Sequence, residues 1–141
     1  MEAKEAKDAQ EVEDNAKHAG PIRHYRDLLV FQQAYRLALE VSRASKGFPK
    51  SEQYELGRQV RNSSRSVAAN IVEGWAKRES AAEFRRHLQI AAGECEETRF
   101  WIELAKDESC LAGAQSAKLE SEYAKLGMMI HNLWKEWRKL A

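Results

Sequence analysis

The sequence predicts an all-α protein: an antiparallel up-down-up-down four-helix bundle spanning residues 23–141, behind an acidic tail, 1–22, expected to be disordered. Three observations predict it. Apolar residues recur at three- and four-residue steps in four separate stretches, as they do in helices that bury one face. Seven glycines and two prolines in 141 residues are too few for the turns of a sandwich or barrel. The links between the periodic stretches are short, which favours antiparallel neighbours.

The tail holds Lys4, Lys7 and Lys17 against Glu2, Glu5, Asp8, Glu11, Glu13 and Asp14, a net charge of −3. It lacks an apolar stripe that could dock on a core. It also lacks the apolar segment of a secretory signal, so a cytoplasmic location is expected. No run approaches the ~18 apolar residues of a membrane span.

Pro21 closes the tail. The first helix is expected from about Arg26 to Lys46, with Leu28, Phe31, Ala34, Tyr35, Ala38, Val41 and Ser45 in phase. Gly47 and Pro49 stop it. Ser51 is placed to cap the second helix. That helix carries Leu56, Val60, Ser64, Val67, Ile71 and Trp75 on one face and ends near Gly74–Ala76. Ser80, three residues before Glu83, is placed to cap the third. Its core face is Phe84, Leu88, Ala91, Cys95, Ile102 and Ala105, fading near Lys106–Ser109. The fourth carries Leu119, Tyr123, Leu126, Ile130, Leu133, Trp137 and Leu140 in strict 4-3 alternation, a heptad seam that packs knobs into holes.

The second helix has three faces rather than two. At 100° per residue, Arg58, Arg61 and Arg65 form a row opposite the apolar face. Gln59, Asn62, Ser66, Asn70 and Glu73 form a polar stripe beside it. Asn and Ser are poor interior helix residues. Solvent exposure would account for the stripe, and so would a seam hydrogen-bonding to another helix or subunit. Trp101 lies off the main face of the third helix, near His87, Ile90 and Glu94, and suits a subunit contact.

Charge is sorted along the bundle. The end holding the start of helix 1, the end of helix 2, the start of helix 3 and the end of helix 4 includes Arg23, Arg26, Lys77, Arg78, Arg85, Arg86, Lys135, Arg138 and Lys139. Against Asp27, Glu73, Glu79, Glu83 and Glu136 this leaves +4. The opposite half carries −2, from eight basic and ten acidic residues. A basic end can contact phosphates, or can be a solvated face paired with helix dipoles.

Catalytic constellations are lacking. Glu83 and His87 are four apart, where a di-iron bundle needs Glu-x-x-His on two helices. There is no HExxH, phosphate-cradling glycine loop or nucleophile elbow. Cys95 and Cys110 have no metal-ligand spacing and read as reduced thiols. His24, His87 and His131 fall in one half of the bundle and read as surface histidines rather than a metal site. Neither an enzyme nor a cofactor is expected.

The stretches YRDLLVFQQAYRLALEV and FPKSEQYELGRQVRNSSRSVAANIVEGWAKRESAAEFRRHLQIAAGECEE resemble the family known as four-helix bundle proteins. Its members include proteins encoded in intervening sequences of bacterial 23S ribosomal RNA genes. The accessory variability determinant of diversity-generating retroelements is similar. The matching positions include Phe48, Pro49, Tyr54, Leu56, Gln59, Arg61, Ser66, Asn70, Glu73, Gly74, Phe84, Ala91, Gly93 and Glu97, and Ser-x3-Asn-x2-Glu-Gly is the most specific of the motifs. Glu94 stands where the family usually has Ser, and Thr98 where it usually has an aliphatic residue.

The resemblance covers about residues 25–140 and implies a homopentameric barrel with a binding role. One branch implies an accessory protein that binds nucleic acid and assists a reverse transcriptase. The alternative is a pentameric ribosomal-RNA intervening-sequence scaffold without nucleic-acid binding. For the first, Arg58, Arg61, Arg65 and the basic-end residues Lys77, Arg78, Arg85, Arg86, Lys135, Arg138 and Lys139 would bind phosphates. Gln59, Asn62, Ser66, Asn70, Glu73 and Trp101 would form the oligomer interface.

Overall fold

The structure is a computed structural model that describes the backbone of residues 21–140 and side chains as far as Trp137. The expectations for the acidic tail and for the side chains of Arg138, Lys139 and Leu140 lie outside the described residues. A 3₁₀ turn, Tyr25–Asp27, leads into α1 (Leu29–Ser45). A one-turn helix, Lys50–Gln53, precedes α2 (Leu56–Ala76), followed by α3 (Ala81–Asp107) and α4 (Gly113–Leu140). Each long helix packs on its chain neighbours and α4 closes against α1, so the four surround one core. The described residues contain no strand.

The first helix begins later than its periodicity suggests. Asp27 Oδ2 accepts from the Arg23 and His24 amides at 3.0 Å each, and His24 Nδ1 accepts from the Arg26 amide at 3.2 Å. This box satisfies amides that would otherwise start a helix, and Leu28 then turns to extended backbone before α1. The buried face of α1 also differs from the expected one. Val30 and Leu37 are buried, whereas Tyr35 is 51% exposed and rests on Phe31.

Ser51 does not cap α2. Pro49 starts the one-turn helix, its carbonyl accepting from the Glu52 and Gln53 amides at 2.8 and 3.1 Å. Gln53 Nε2 then reaches back to the carbonyls of Lys46 and Phe48. These are carbonyls that the end of α1 and its link leave open. At the next corner Ser80 Oγ accepts from the Glu83 amide at 3.2 Å, as its position predicts.

The core faces expected of α2 and α3 are buried in full, as are Leu119, Tyr123, Leu126, Ile130 and Leu133 of α4. Trp137 is half-buried and stacks on Phe84, ring centroids 4.5 Å apart.

Two acids sit within this core. Burial, helped by Glu96 and Glu94, pushes the Cys95 thiol up to about 12. Burial, then the neighbouring Cys95, pushes the Tyr123 phenol up too. Both therefore keep protons in the fold that an unfolded chain would release. Where the native state holds more protons, stability falls with rising pH. Stability is thus full below the ordinary thiol value of 9.0 and declines as pH rises towards about 12. Urea titrations at about pH 7, 9 and 11 check this. The midpoint should hold between the first two and drop at the third, and Cys95→Ala should lessen the drop.

Candidate nucleic-acid interface

Sequence order alone brings the end of α2, the start of α3 and the end of α4 to one end of the bundle; packing then fixes the cations there. The Arg78 guanidinium lies 4.1 Å from the Trp75 ring centroid, and its Nη1 donates to the Trp75 carbonyl at 3.0 Å. The Arg85 guanidinium lies 4.1 Å over Trp134, and its Nε donates to the Trp134 carbonyl at 3.1 Å. Cation–π contact with an anchoring hydrogen bond restricts a side chain that otherwise has many rotamers. Trp75 meets Phe84 and Trp137 edge-on at 6.1 and 6.4 Å, so the core supports that platform.

Lys77 and Arg86 flank a buried histidine. His87 Nδ1 lies 3.1 Å from Asn70 Oδ1, while Lys77 Nζ and Arg86 Nη2 lie 3.3 and 3.4 Å from Nε2. Asn70 Nδ2 donates to the Ser66 carbonyl at 2.9 Å, which assigns Oδ1 as the acceptor towards His87. Nδ1 then donates and Nε2 accepts. Glu73 pairs with Lys77 at 3.6 Å, and Glu83 with Arg86 at 3.4 Å. Lys135 is exposed at the same end.

Ser66, Asn70 and Gly74 of the motif thus make contacts within the chain, while Glu73 is exposed. A Cβ on Gly74 would stand 2.7 Å from His87 Cβ and 3.4 Å from the Phe84 carbonyl oxygen. Only glycine lets α3 approach this closely, and Asn70 then satisfies the histidine that the approach buries. The expectation of a surface histidine is wrong for His87. The sequence held a usable signal, because His87 lies one turn from Phe84 and beside Leu88 on the core side of α3.

Further along, Thr98 Oγ1 lies 2.8 Å from both Ser63 Oγ and the Glu94 carbonyl, all between α2 and α3. The Thr98 hydroxyl, at a position where the resemblance implies an aliphatic residue, therefore has partners. Gln59, Asn62 and Glu73 are not buried, and Ser66 is half-buried. Trp101 is half-buried, its indole Nε1 enclosed without a hydrogen-bond partner.

The arginine row divides. Arg58 and Arg65 are exposed on α2. Arg61 turns inward, its Nη1 donating to Ser45 Oγ at 2.9 Å and Nη2 to the Gln53 carbonyl at 3.0 Å. It ties α2 to the end of α1. Its Nη1 and Nη2 are used for that contact, which leaves Arg58 and Arg65 as the exposed members of the row.

No group of three or more metal-ligating side chains exists among the described residues. No described helix is long and apolar enough to cross a membrane.

The profile of the family described as 23S rRNA-intervening sequence protein matches residues 26–132. No curated protein matches. A solved structure is similar in fold with a TM-score of 0.70: a protein of unknown function from the S23 ribosomal protein family of Bacteroides thetaiotaomicron. It is 22% identical, and the alignment covers 76% of this chain and 96% of that one.

Proposed function

Because the chain belongs to the 23S rRNA-intervening sequence protein family, we propose that it is a non-enzymatic, homopentameric binding protein that takes nucleic acid, RNA first, on its basic end. The observation that carries this reading is the set Lys77, Arg78, Arg85 and Arg86. Arg78 and Arg85 are held over indole rings, and Lys77 and Arg86 are gathered at His87. Cations fixed before binding lose less freedom when they meet phosphates. A ring of five would repeat the set around one rim, and multivalent contact raises affinity without new chemistry. Assistance to a reverse transcriptase belongs to the same proposal and rests on the resemblance to the retroelement accessory protein.

Fluorescence anisotropy with labelled single-stranded and duplex RNA across a salt series tests it. Native protein should bind, and its log affinity should fall linearly with log salt. Arg78→Glu with Arg86→Glu should weaken binding at least tenfold and flatten the slope, by roughly 0.7–0.9 for each phosphate that is no longer neutralised. Arg58→Glu with Arg65→Glu measures the share of the α2 row. No binding at low salt would overturn the proposal and leave the scaffold reading.

A further inference from the structure

Two faces of the bundle are unfinished in complementary ways. On one side, α1 and α4 meet more sparsely than the other neighbouring pairs of long helices. Hollows of about 350 and 220 Å³ remain between them. Arg36 bridges the larger one, to Glu40 at 2.9 Å and Glu122 at 2.7 Å, so its charge is answered. Arg43 and Lys118 line the smaller one, and neither has an ion-pair partner among the described residues.

The other side is the outer face of α2 and α3. There Glu94 and Glu97 stand one turn apart with no basic partner among the described residues. Burial, then the adjacent Glu97 carboxylate, pushes the Glu94 carboxyl above the usual range. Phe100, 52% exposed, crosses the half-buried Trp101 edge-on at 4.8 Å. Gly93 lies mid-helix on this side, and a Cβ there would meet nothing within 4 Å. A mid-helix glycine costs about 1 kcal/mol relative to alanine, and nothing inside the protomer requires it. The close approach of a second backbone would.

We propose that the α2–α3 face of one copy seats in the α1–α4 groove of the next, with Glu94 and Glu97 answering Arg43 and Lys118. The occupant is a second copy of this chain because the charge missing from each face is present on the other. Two different faces meeting make a head-to-tail contact, which gives a ring if the rotation closes and a filament if it does not. This inference rests on the self-assembly part of the proposed function and names the surfaces that carry it.

Light scattering after size exclusion tests it, with circular dichroism confirming that each variant folds. Glu94→Lys with Glu97→Lys should reduce the assembly to the protomer mass, and so should Arg43→Glu with Lys118→Glu. The quadruple variant restores charge matching across the contact and should regain the native mass. Monomeric native protein would overturn the assembly reading and this inference together. A native assembly that both double variants retain would overturn only the inference. Monomeric double variants with no recovery in the quadruple variant would show that the faces do not meet each other. If Arg43→Glu with Lys118→Glu weakens RNA binding without changing mass, the groove serves RNA and the inference fails.

Discussion

Phe84→Ala is expected to lower the unfolding free energy by about 3–5 kcal/mol, the usual cost of removing a large buried aromatic. Phe84 has no exposed surface, stacks on Trp137 and meets Trp75 edge-on, so it holds α2, α3 and α4 together at the basic end. Both the lost burial and the cavity contribute, because the surrounding helices relax only partly. The loss should extend beyond stability. Trp75 carries the Arg78 guanidinium, so a loosened Trp75 should leave Arg78 less fixed. Urea unfolding followed by tryptophan fluorescence measures the first effect, and RNA anisotropy on the remaining folded protein measures the second. Phe84→Leu keeps most of the volume and should lose less of both. A Phe84→Ala variant with a native urea midpoint would refute the packing argument.

Gly74→Ala is expected to destabilise the fold by about 1–3 kcal/mol, the range for adding a methyl group to a filled contact. Helix propensity alone predicts the opposite, a gain of up to about 1 kcal/mol. The contact should win because the new Cβ would lie 2.7 Å from His87 Cβ, close to the α3 backbone, where no flexible side-chain end can yield. Separating the helices would also stretch the Asn70–His87 hydrogen bond at 3.1 Å and leave a buried ring nitrogen unsatisfied. Gly93→Ala is the matched control. Its Cβ would enter open space within the protomer, so in a monomeric background it should gain up to about 1 kcal/mol. Chemical denaturation of the two variants should therefore give opposite signs. Equal signs would mean that the approach at Gly74 is not the constraint.

Much of the fold is legible in the sequence because periodicity is a local property. The core residues assigned to α2 and α3 from spacing are all buried. Those of α1 are less well determined, because Val30 and Leu37 fit the buried stripe about as well as Tyr35 does, and only the direction of packing separates them. Ser51 fails as a cap for a similarly local reason. The proline two residues earlier starts a one-turn helix of its own.

The polar stripe of α2 shows where sequence stops. Spacing places Ser66, Asn70 and Glu73 on one side of the helix and sets Arg58, Arg61 and Arg65 apart from the apolar face. It does not say what either set meets. A partner depends on which helix lies alongside, at what register and at what distance, and these follow from the whole core packing at once. That packing buries His87 opposite Asn70 and turns Arg61 towards Ser45. It also leaves Arg43, Lys118, Glu94 and Glu97 on faces with charges still to be matched. The sequence by itself determined four amphipathic helices, their order and the gathering of positive charge at one end, because these depend on residue spacing and chain direction. Only the tertiary structure decided which polar groups are used up inside the chain and which stay open on its surface, because that depends on distances between residues far apart in the chain.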